Sequence, residues 1–350
     1  MESPLETGKF QEAAQAYDAL LIVSFGGPEG MADVMPFLEN VLRGRNVPHE
    51  RMLQVAHHYE LFGGVSPING QNRALIAALT AELEAHGPHL PIYWGNRNWT
   101  PLLADTLRQM ANDGVKNALA FFTSAYSSYS GCRQYREDII RARAEVGPDA
   151  PRVDKIRMFY NHPAFIQVNV ENLQTALSQI PAERQAATQI AFTAHSIPLA
   201  MAQHSDYETQ LLETCQLVTE SMQPAIQRDH WQLVYQSRSG SPRQPWLEPD
   251  ICDHLRQLKT NGAQDVIVMP IGFISDHLEI LYDLDTEAKQ LASEIDLNFV
   301  RAATAGTHPT FVSMIRDLMV ERMSENPVRL SLGTRGPNHD LCPIDCCLPG

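Results

Sequence analysis

No run of about 18 consecutive apolar residues occurs in the 350-residue chain, so no segment reads as a membrane-spanning helix. Excess positive charge is also missing. The 27 Lys and Arg stand against 41 Asp and Glu, a formal net charge of −14. A nucleic-acid binder would show a basic footprint, and an anionic membrane surface would repel this chain, so both partner classes are set aside. The opening MESPLETGKFQEAAQAYD (1–18) lacks the apolar core of a signal peptide, which makes a cytoplasmic location the expectation. Phosphate-binding signatures are absent: no G-x-x-x-x-G-K-[ST] occurs, and Gly26-Gly27-x-x-Gly30 is not G-x-G-x-x-G. There is no G-x-S-x-G elbow either, so Ser196 beside His195 is no sign of a hydrolase triad. Cysteine is sparse, and a cytosolic chain would not use its six as structural disulfides. Half of them (Cys342, Cys346 and Cys347) fall in the last nine residues.

What is present is 44% hydrophobic residues, enough for two domains of ordinary size. After a loose lead-in over 1–16, strand-like apolar runs at 18–25, 90–94 and 117–123 alternate with helical periodicity at about 31–42, 49–61, 70–86 and 132–146. GPDAPR (147–152) reads as a linker. The alternation resumes with strands at 155–159, 188–193, 231–236, 265–269 and 298–300. Helices are expected at about 162–180, 206–222, 248–260, 277–294 and 309–323. This is an α/β pattern with parallel sheets, in which ligands bind beyond the carboxyl ends of strands.

On the expected helix 277–294, Glu279, Asp283 and Glu287 fall at i, i+4 and i+8, one row on one face. Like charges at that spacing repel, so the row is either a solvated acidic face or a site. TAHSIP (193–198) also follows a strand. Strand ends should bring His195, Glu279, Gly26-Gly27, residues 95–98 and residues 124–131 to one cleft.

The stretches LIVSFGGPEG (21–30), FGGVSPINGQNR (62–73), YWGNRNWTP (93–101), TSAYSSYSGCRQYRED (123–138), FTAHSIP (192–198), YQSRSGSPRQPWLEPD (235–250) and PIGFISDHLEILYDLDTE (270–287) together resemble the ferrochelatase family. The likeness is greatest to its iron–sulfur-containing bacterial branch seen in actinobacteria, several of whose members act on coproporphyrin III. The resemblance implies two Rossmann-like domains (17–150 and 151–305), a C-terminal helix (306–325) and a cysteine-containing tail (326–350). It implies insertion of Fe²⁺ into a porphyrin with release of two protons, in haem biosynthesis. His195 matches the family's active-site histidine and Glu279 its facing glutamate, both able to ligate the substrate iron. Asp283 and Glu287 match a path for iron or protons. A neutral imidazole suits proton acceptance near neutral pH, and carboxylates attract a hard dication.

By position, Phe25, Arg43, Ser66, Arg97, Asn98, Tyr126 and Ser127 should line the porphyrin slot. Phe25 stands where some relatives carry an iron-ligating tyrosine, and His58 and Leu42 where others carry arginine, which bears on the porphyrin preferred. C-x3-C-C by itself fits a zinc site or a merely exposed tail equally well. With Cys132 and the family pattern, Cys132, Cys342, Cys346 and Cys347 are the implied ligands of a [2Fe–2S] cluster. The two adjacent cysteines would bind different irons, or one iron through a tight turn. With no obvious apolar membrane lip in the sequence, the tetrapropionate coproporphyrin III is the expected substrate. Protoporphyrin IX is the alternative, and a non-enzymatic haem or iron–sulfur sensor is the competing class.

Overall fold

A computed structural model describes residues 16–44, 48–239 and 243–350. All but the last residue of the expected lead-in lies outside the described residues, as do Arg45 and positions 240–242 of the 235–250 motif.

Among the described residues, eight strands form two parallel sheets: β1 (Ala19–Ser24), β2 (Ile92–Asn96), β3 (Asn117–Phe122) and β4 (Arg152–Lys155), then β5 (Gln189–His195), β6 (Trp231–Gln236), β7 (Asp265–Met269) and β8 (Asn298–Arg301). The sheet orders are β2-β1-β3-β4 and β6-β5-β7-β8, the same arrangement twice. Every residue of β1 and β7 is buried. This is why ALLIVS and DVIVM read as unbroken apolar runs: helices cover both faces of a parallel sheet. In such an order the chain reverses direction across the sheet between β1 and β3, and again between β5 and β7. The carboxyl ends at those switch points are where a cleft opens.

One buried core joins the two sheets. Phe121 of β3 stacks on Phe159 at 5.4 Å between ring centroids, and Phe159 meets Phe165 at 5.4 Å and Phe311 at 5.9 Å. Phe165 and Phe311 belong to the helices Pro163–Leu177 and Pro309–Met323. Both helices begin the same way. A histidine, His162 or His308, accepts the second helical N–H through Nδ1 at 3.2 or 3.3 Å, and proline follows where its missing donor costs nothing.

Two expectations need correction. The strand expected at 155–159 lies at Arg152–Lys155 and pairs with β3, so the first sheet extends past the boundary expected at 150. The more apolar stretch after it leaves the ladder and fills the space between the sheets, with Ile156, Met158, Phe159 and Tyr160 all buried. The helix expected at 277–294 is a π-helix, Ile280–Ala288, running on into a short α-helix, Lys289–Glu294.

The tail has no regular element but is pinned throughout. Leu332 and Asn161 exchange hydrogen bonds, Asn161 also donates to Gly336 O at 2.9 Å, and Arg329 pairs with Asp340 at 3.1 Å. Beneath it Arg157, 1% exposed, grips Glu321 with Nε at 2.7 Å and Nη2 at 3.0 Å, and donates to Leu330 O at 2.8 Å. Removing one partner of a buried pair leaves the other charge uncompensated. Arg157→Leu should therefore lose about 3–5 kcal/mol of stability. Urea denaturation followed by circular dichroism checks this, and a loss below about 1 kcal/mol, the level of a surface pair, would contradict it.

Candidate active site

His195 is the last residue of β5 and is aligned with Gln236, the last of β6. The loop after β7 closes on β5 because Gly272 lets it: a Cβ there would lie 2.7 Å from the Ala194 Cβ, and the Gly272 N–H instead reaches Thr193 O at 3.0 Å. This approach carries Glu279, at the start of the π-helix, to His195. The His195 Nε2 lies 3.5 Å from Glu279 Oε1, while its Nδ1 lies 2.5 Å from Ser196 O. Both ring nitrogens face acceptors, which is the arrangement of an imidazolium. Burial alone would lower the His195 pKa, but the Glu279 carboxylate outweighs it and pushes the group up to about 9. Burial likewise opposes ionisation of Glu279, yet the charge and hydrogen bond of His195 hold it down to about 2. The structure thus brings His195 and Glu279 together, and the carboxylate favours the protonated form of the imidazole. Tyr207 Oη fixes the His195 carbonyl from behind at 3.1 Å.

His277 escaped the sequence reading, although it stands two residues before Glu279. Its Nδ1 accepts the Glu279 N–H at 3.2 Å and lies 3.8 Å from Glu279 Oε2. Burial lowers its pKa, in keeping with a neutral ring whose nitrogen accepts. Glu279 therefore sits between one charged and one neutral imidazole. Asp276 is braced by Arg301, at 3.0 and 3.3 Å, and by Thr304 at 3.2 Å; the other edge of Arg301 holds Asp285 of the π-helix at 2.6 Å.

Behind Glu279, Asp283 accepts from the Ser237 hydroxyl, and Gln236 Nε2 lies 3.4 Å from the same carboxylate and 3.2 Å from Glu279 O. Burial pushes Asp283 up; the Ser237 hydrogen bond pulls it back, Glu279 adds to the rise, and it reaches about 7. Glu287 is exposed and borders a surface cavity of about 360 Å³ lined also by Cys252, Arg256 and Tyr282. The row expected from spacing exists, on a wider turn with i→i+5 bonding, a form that recurs at functional sites. Opposite it, His58 of the helix His49–Glu60 stacks on Tyr282 at 3.7 Å, joining the two walls.

The ferrochelatase family profile matches residues 17–323. The chain belongs to the ferrochelatase family. It is a metal-insertion enzyme of haem synthesis, placing Fe²⁺ in a porphyrin. It is 58% identical over 333 residues to a ferrochelatase of Rhodopirellula baltica, covering 95% of this chain and 93% of that one. It is 50% identical over 352 residues to a coproporphyrin III ferrochelatase of Streptomyces coelicolor, with 95% and 94% covered. Among solved structures, the sirohydrochlorin chelatase SirB of Bacillus subtilis with Fe³⁺ aligns at TM-score 0.52 and 12% identity, over 87% of this chain and 96% of that one. At that identity the likeness shows the fold alone.

The expected porphyrin contacts divide in two. Phe25, 37% exposed, lies edge-on to Phe37 and is clamped by Asn98, whose N–H and Nδ2 both reach Phe25 O, at 3.1 and 3.2 Å. Arg43 is exposed and donates to the Asn40 amide. The remaining four turn inward. Arg97 pairs with Asp138 and lies 4.5 Å over Tyr135, so its charge is already met. Tyr126 donates to Ile271 O at 2.9 Å, Ser127 is held by Gln210 and Asn338, and Ser66 is packed under Gly27. Their partners are far away in sequence, so sequence position alone made them look like cleft residues. Four large apolar side chains of the first half, Met31, Leu53, Leu61 and Val65, are exposed.

The four cysteines meet. Cys132 lies in a second π-turn, Tyr129–Arg133, with its sulfur 3.9 Å from Cys342; the Cys346 and Cys347 sulfurs are 3.4 Å apart, brought together by a left-handed φ of 55° at Cys347. His339 also comes within 4.8 Å of the Cys342 and Cys346 sulfurs, a neighbour the spacing did not single out. Hydrogen bonds from Cys132 and then Cys346 hold the Cys342 thiol well below its ordinary value. All four are free thiols, so the donor set suits a thiophilic metal group. Of the two remaining cysteines, Cys215 is buried and Cys252 is partly exposed.

The His195–Glu279 pair gives a definite pH window. His195 is raised, so its contribution to stability is complete below about 6.5 and fades as pH rises through about 9. Glu279 is depressed, so its contribution is complete above about 4.5 and fades as pH falls toward about 2. NMR titration should find the His195 imidazole protonated at pH 7.5, and Glu279→Gln should bring its midpoint to or below about 6.5. A His195 midpoint indifferent to that substitution would remove the pairing.

Proposed function

We propose that the chain inserts Fe²⁺ into coproporphyrin III, with His195 and Glu279 at the metal-insertion point and Asp283 and Glu287 as the outward path. The observation that carries this reading is the Glu279 carboxylate held between two imidazoles, with a carboxyl group of pKa about 7 directly behind it. Insertion exchanges one dication for two pyrrole protons. Glu279, ionised throughout the neutral range, is the first anionic group for arriving Fe²⁺. The cation's approach disfavours the His195 proton and frees that imidazole. Neutral His277 and Asp283 can accept protons, and a group titrating near the working pH both takes and releases them efficiently. Glu287, at the exposed end, exchanges with solvent.

The substrate reading draws on the likeness to the coproporphyrin III ferrochelatase of Streptomyces coelicolor and on Arg43 and Arg51, which donate to neutral amides and so keep their charge for propionates. The exposed strip of Met31, Leu53, Leu61 and Val65 favours a second reading, protoporphyrin IX taken from an apolar surface. The Rossmann-like halves are proposed to divide after β4, each supplying one wall of the slot.

We also infer that Cys132, Cys342, Cys346 and Cys347 hold a [2Fe–2S] cluster. When bound, such a cluster supplies four metal–thiolate bonds and one-electron capacity. Metal insertion transfers no electron, so a staple between tail and first sheet is the role proposed. Arg133 prepares it by donating to Ile344 O at 2.8 Å and Cys346 O at 3.1 Å.

Anaerobic insertion assays with each porphyrin should give the higher kcat/KM for coproporphyrin III; the reverse order would establish the second reading. His195→Ala should fall by about 10²–10⁴-fold, the usual worth of a proton-transfer group, and equal turnover would remove its role. Wild-type activity should drop as pH falls below about 7, with Asp283→Asn slower and lacking that acid limb; an unchanged limb would exclude Asp283 from the path. Cys132→Ser should lose visible absorbance and solubility together, whereas a fully stable, colourless variant would end the staple role.

A further inference from the structure

Most buried cations of this fold meet a carboxylate. Arg157 has Glu321, Arg97 has Asp138, and Arg301 has Asp276 and Asp285. Among the described residues Arg322 does not, and neither do two cations beside the cysteine group. Lys155 ends β4, is 8% exposed, and donates to a carbonyl, His339 O, at 3.3 Å. Arg136, one turn beyond Cys132, donates from Nη1 to Cys342 O at 3.4 Å, and its buried Nε has no hydrogen-bond partner among the described residues. An ammonium removed from water with only a carbonyl for company is costly, and so is an orphaned guanidinium donor. Both costs fall if an anion occupies the space they face.

We propose that Lys155 and Arg136 are the counter-charge of the anionic thiolate-bound group at Cys132, Cys342, Cys346 and Cys347, and that they set its reduction potential. This rests on the reading of those four residues as cluster ligands. A four-thiolate iron–sulfur cluster carries net negative charge, and accepting an electron adds to it. Fixed cations in a poorly solvated shell stabilise the reduced form more than the oxidised one, because Coulomb attraction there is weakly screened. They therefore raise the potential. Arg133 differs: its charge is shared with Glu137 at 2.8 Å, and its work is to bind tail carbonyls. Lys155 and Arg136 are positioning residues in this sense, acting on the group through charge without ligating it.

The test uses full-length protein purified anaerobically, with iron and acid-labile sulfide assayed and the potential measured by EPR-monitored reductive titration. Lys155→Gln and Arg136→Gln should each shift the midpoint to more negative values, and the double variant further. Lys155→Arg and Arg136→Lys should stay near wild type. Loss of sulfide in the glutamine variants, with retention in the charge-keeping ones, would equally support the proposal. Wild-type sulfide content and midpoint in both glutamine variants would overturn it, as would equal sulfide loss in all four, which would indicate packing and not charge. If wild-type protein contains no acid-labile sulfide, the cluster reading fails first, and visibly so. Circular dichroism screens for folding; should buried Lys155 resist substitution, part-exposed Arg136 carries the test alone.

Discussion

The placement of one carboxylate between two imidazoles governs most of the cleft. Glu279 reaches His195 only because the loop after β7 lies against the end of β5, and that contact exists only because Gly272 has no side chain. The pairing charges His195 and holds Glu279 ionised, and Glu279 in turn helps raise Asp283. Gln236 and Ser237 at the end of β6, and Arg301 at the end of β8, then fix the π-helix from two sides. Three of the four strand ends of the second sheet thus converge on one helix with His195 among them. The site's electrostatics are a property of the sheet order as much as of the residues.

Much of this was readable beforehand, because strands and helices announce themselves through local periodicity. The strand 265–269 and the helix 309–323 fall where their patterns say. What could not be read depends on contacts between residues far apart. Nothing local marks the widened turn of Ile280–Ala288, since an i→i+5 bond leaves composition unchanged. Arg97 looks like a free cation until Asp138 arrives from another helix, and Tyr126 like a slot residue until its hydroxyl finds Ile271 O. His277 was in plain view in the same motif as Glu279. Spacing by two does not bring side chains together on a helix; the turn before the π-helix does so here.

The tail shows the opposite balance. Its cysteine count pointed to a metal group, while its lack of periodicity hid how firmly it is held. Arg157, Asn161, Arg133 and Arg136 each bind its backbone carbonyls, so the thiols of Cys342, Cys346 and Cys347 come to Cys132 along a fixed track. Cys132 opens the helix Gln134–Val146, whose Asp138 holds Arg97, and Arg97 lies 5.7 Å over the ring of Phe25 at the cleft. The cysteine group and the proposed porphyrin slot therefore share a structural support.

The repeated strand order has a consequence for ancestry. Since β2-β1-β3-β4 and β6-β5-β7-β8 are the same arrangement, a chain of half the length paired with its own copy would enclose a cleft of this kind between two equal walls. Joining the copies into one chain releases them from symmetry. Each wall is then free to drift toward its own chemistry: acidic and histidine-bearing on one side, apolar and cysteine-anchored on the other. The common plan persists in the order of the strands and in the His-Pro start shared by the helices that follow β4 and β8.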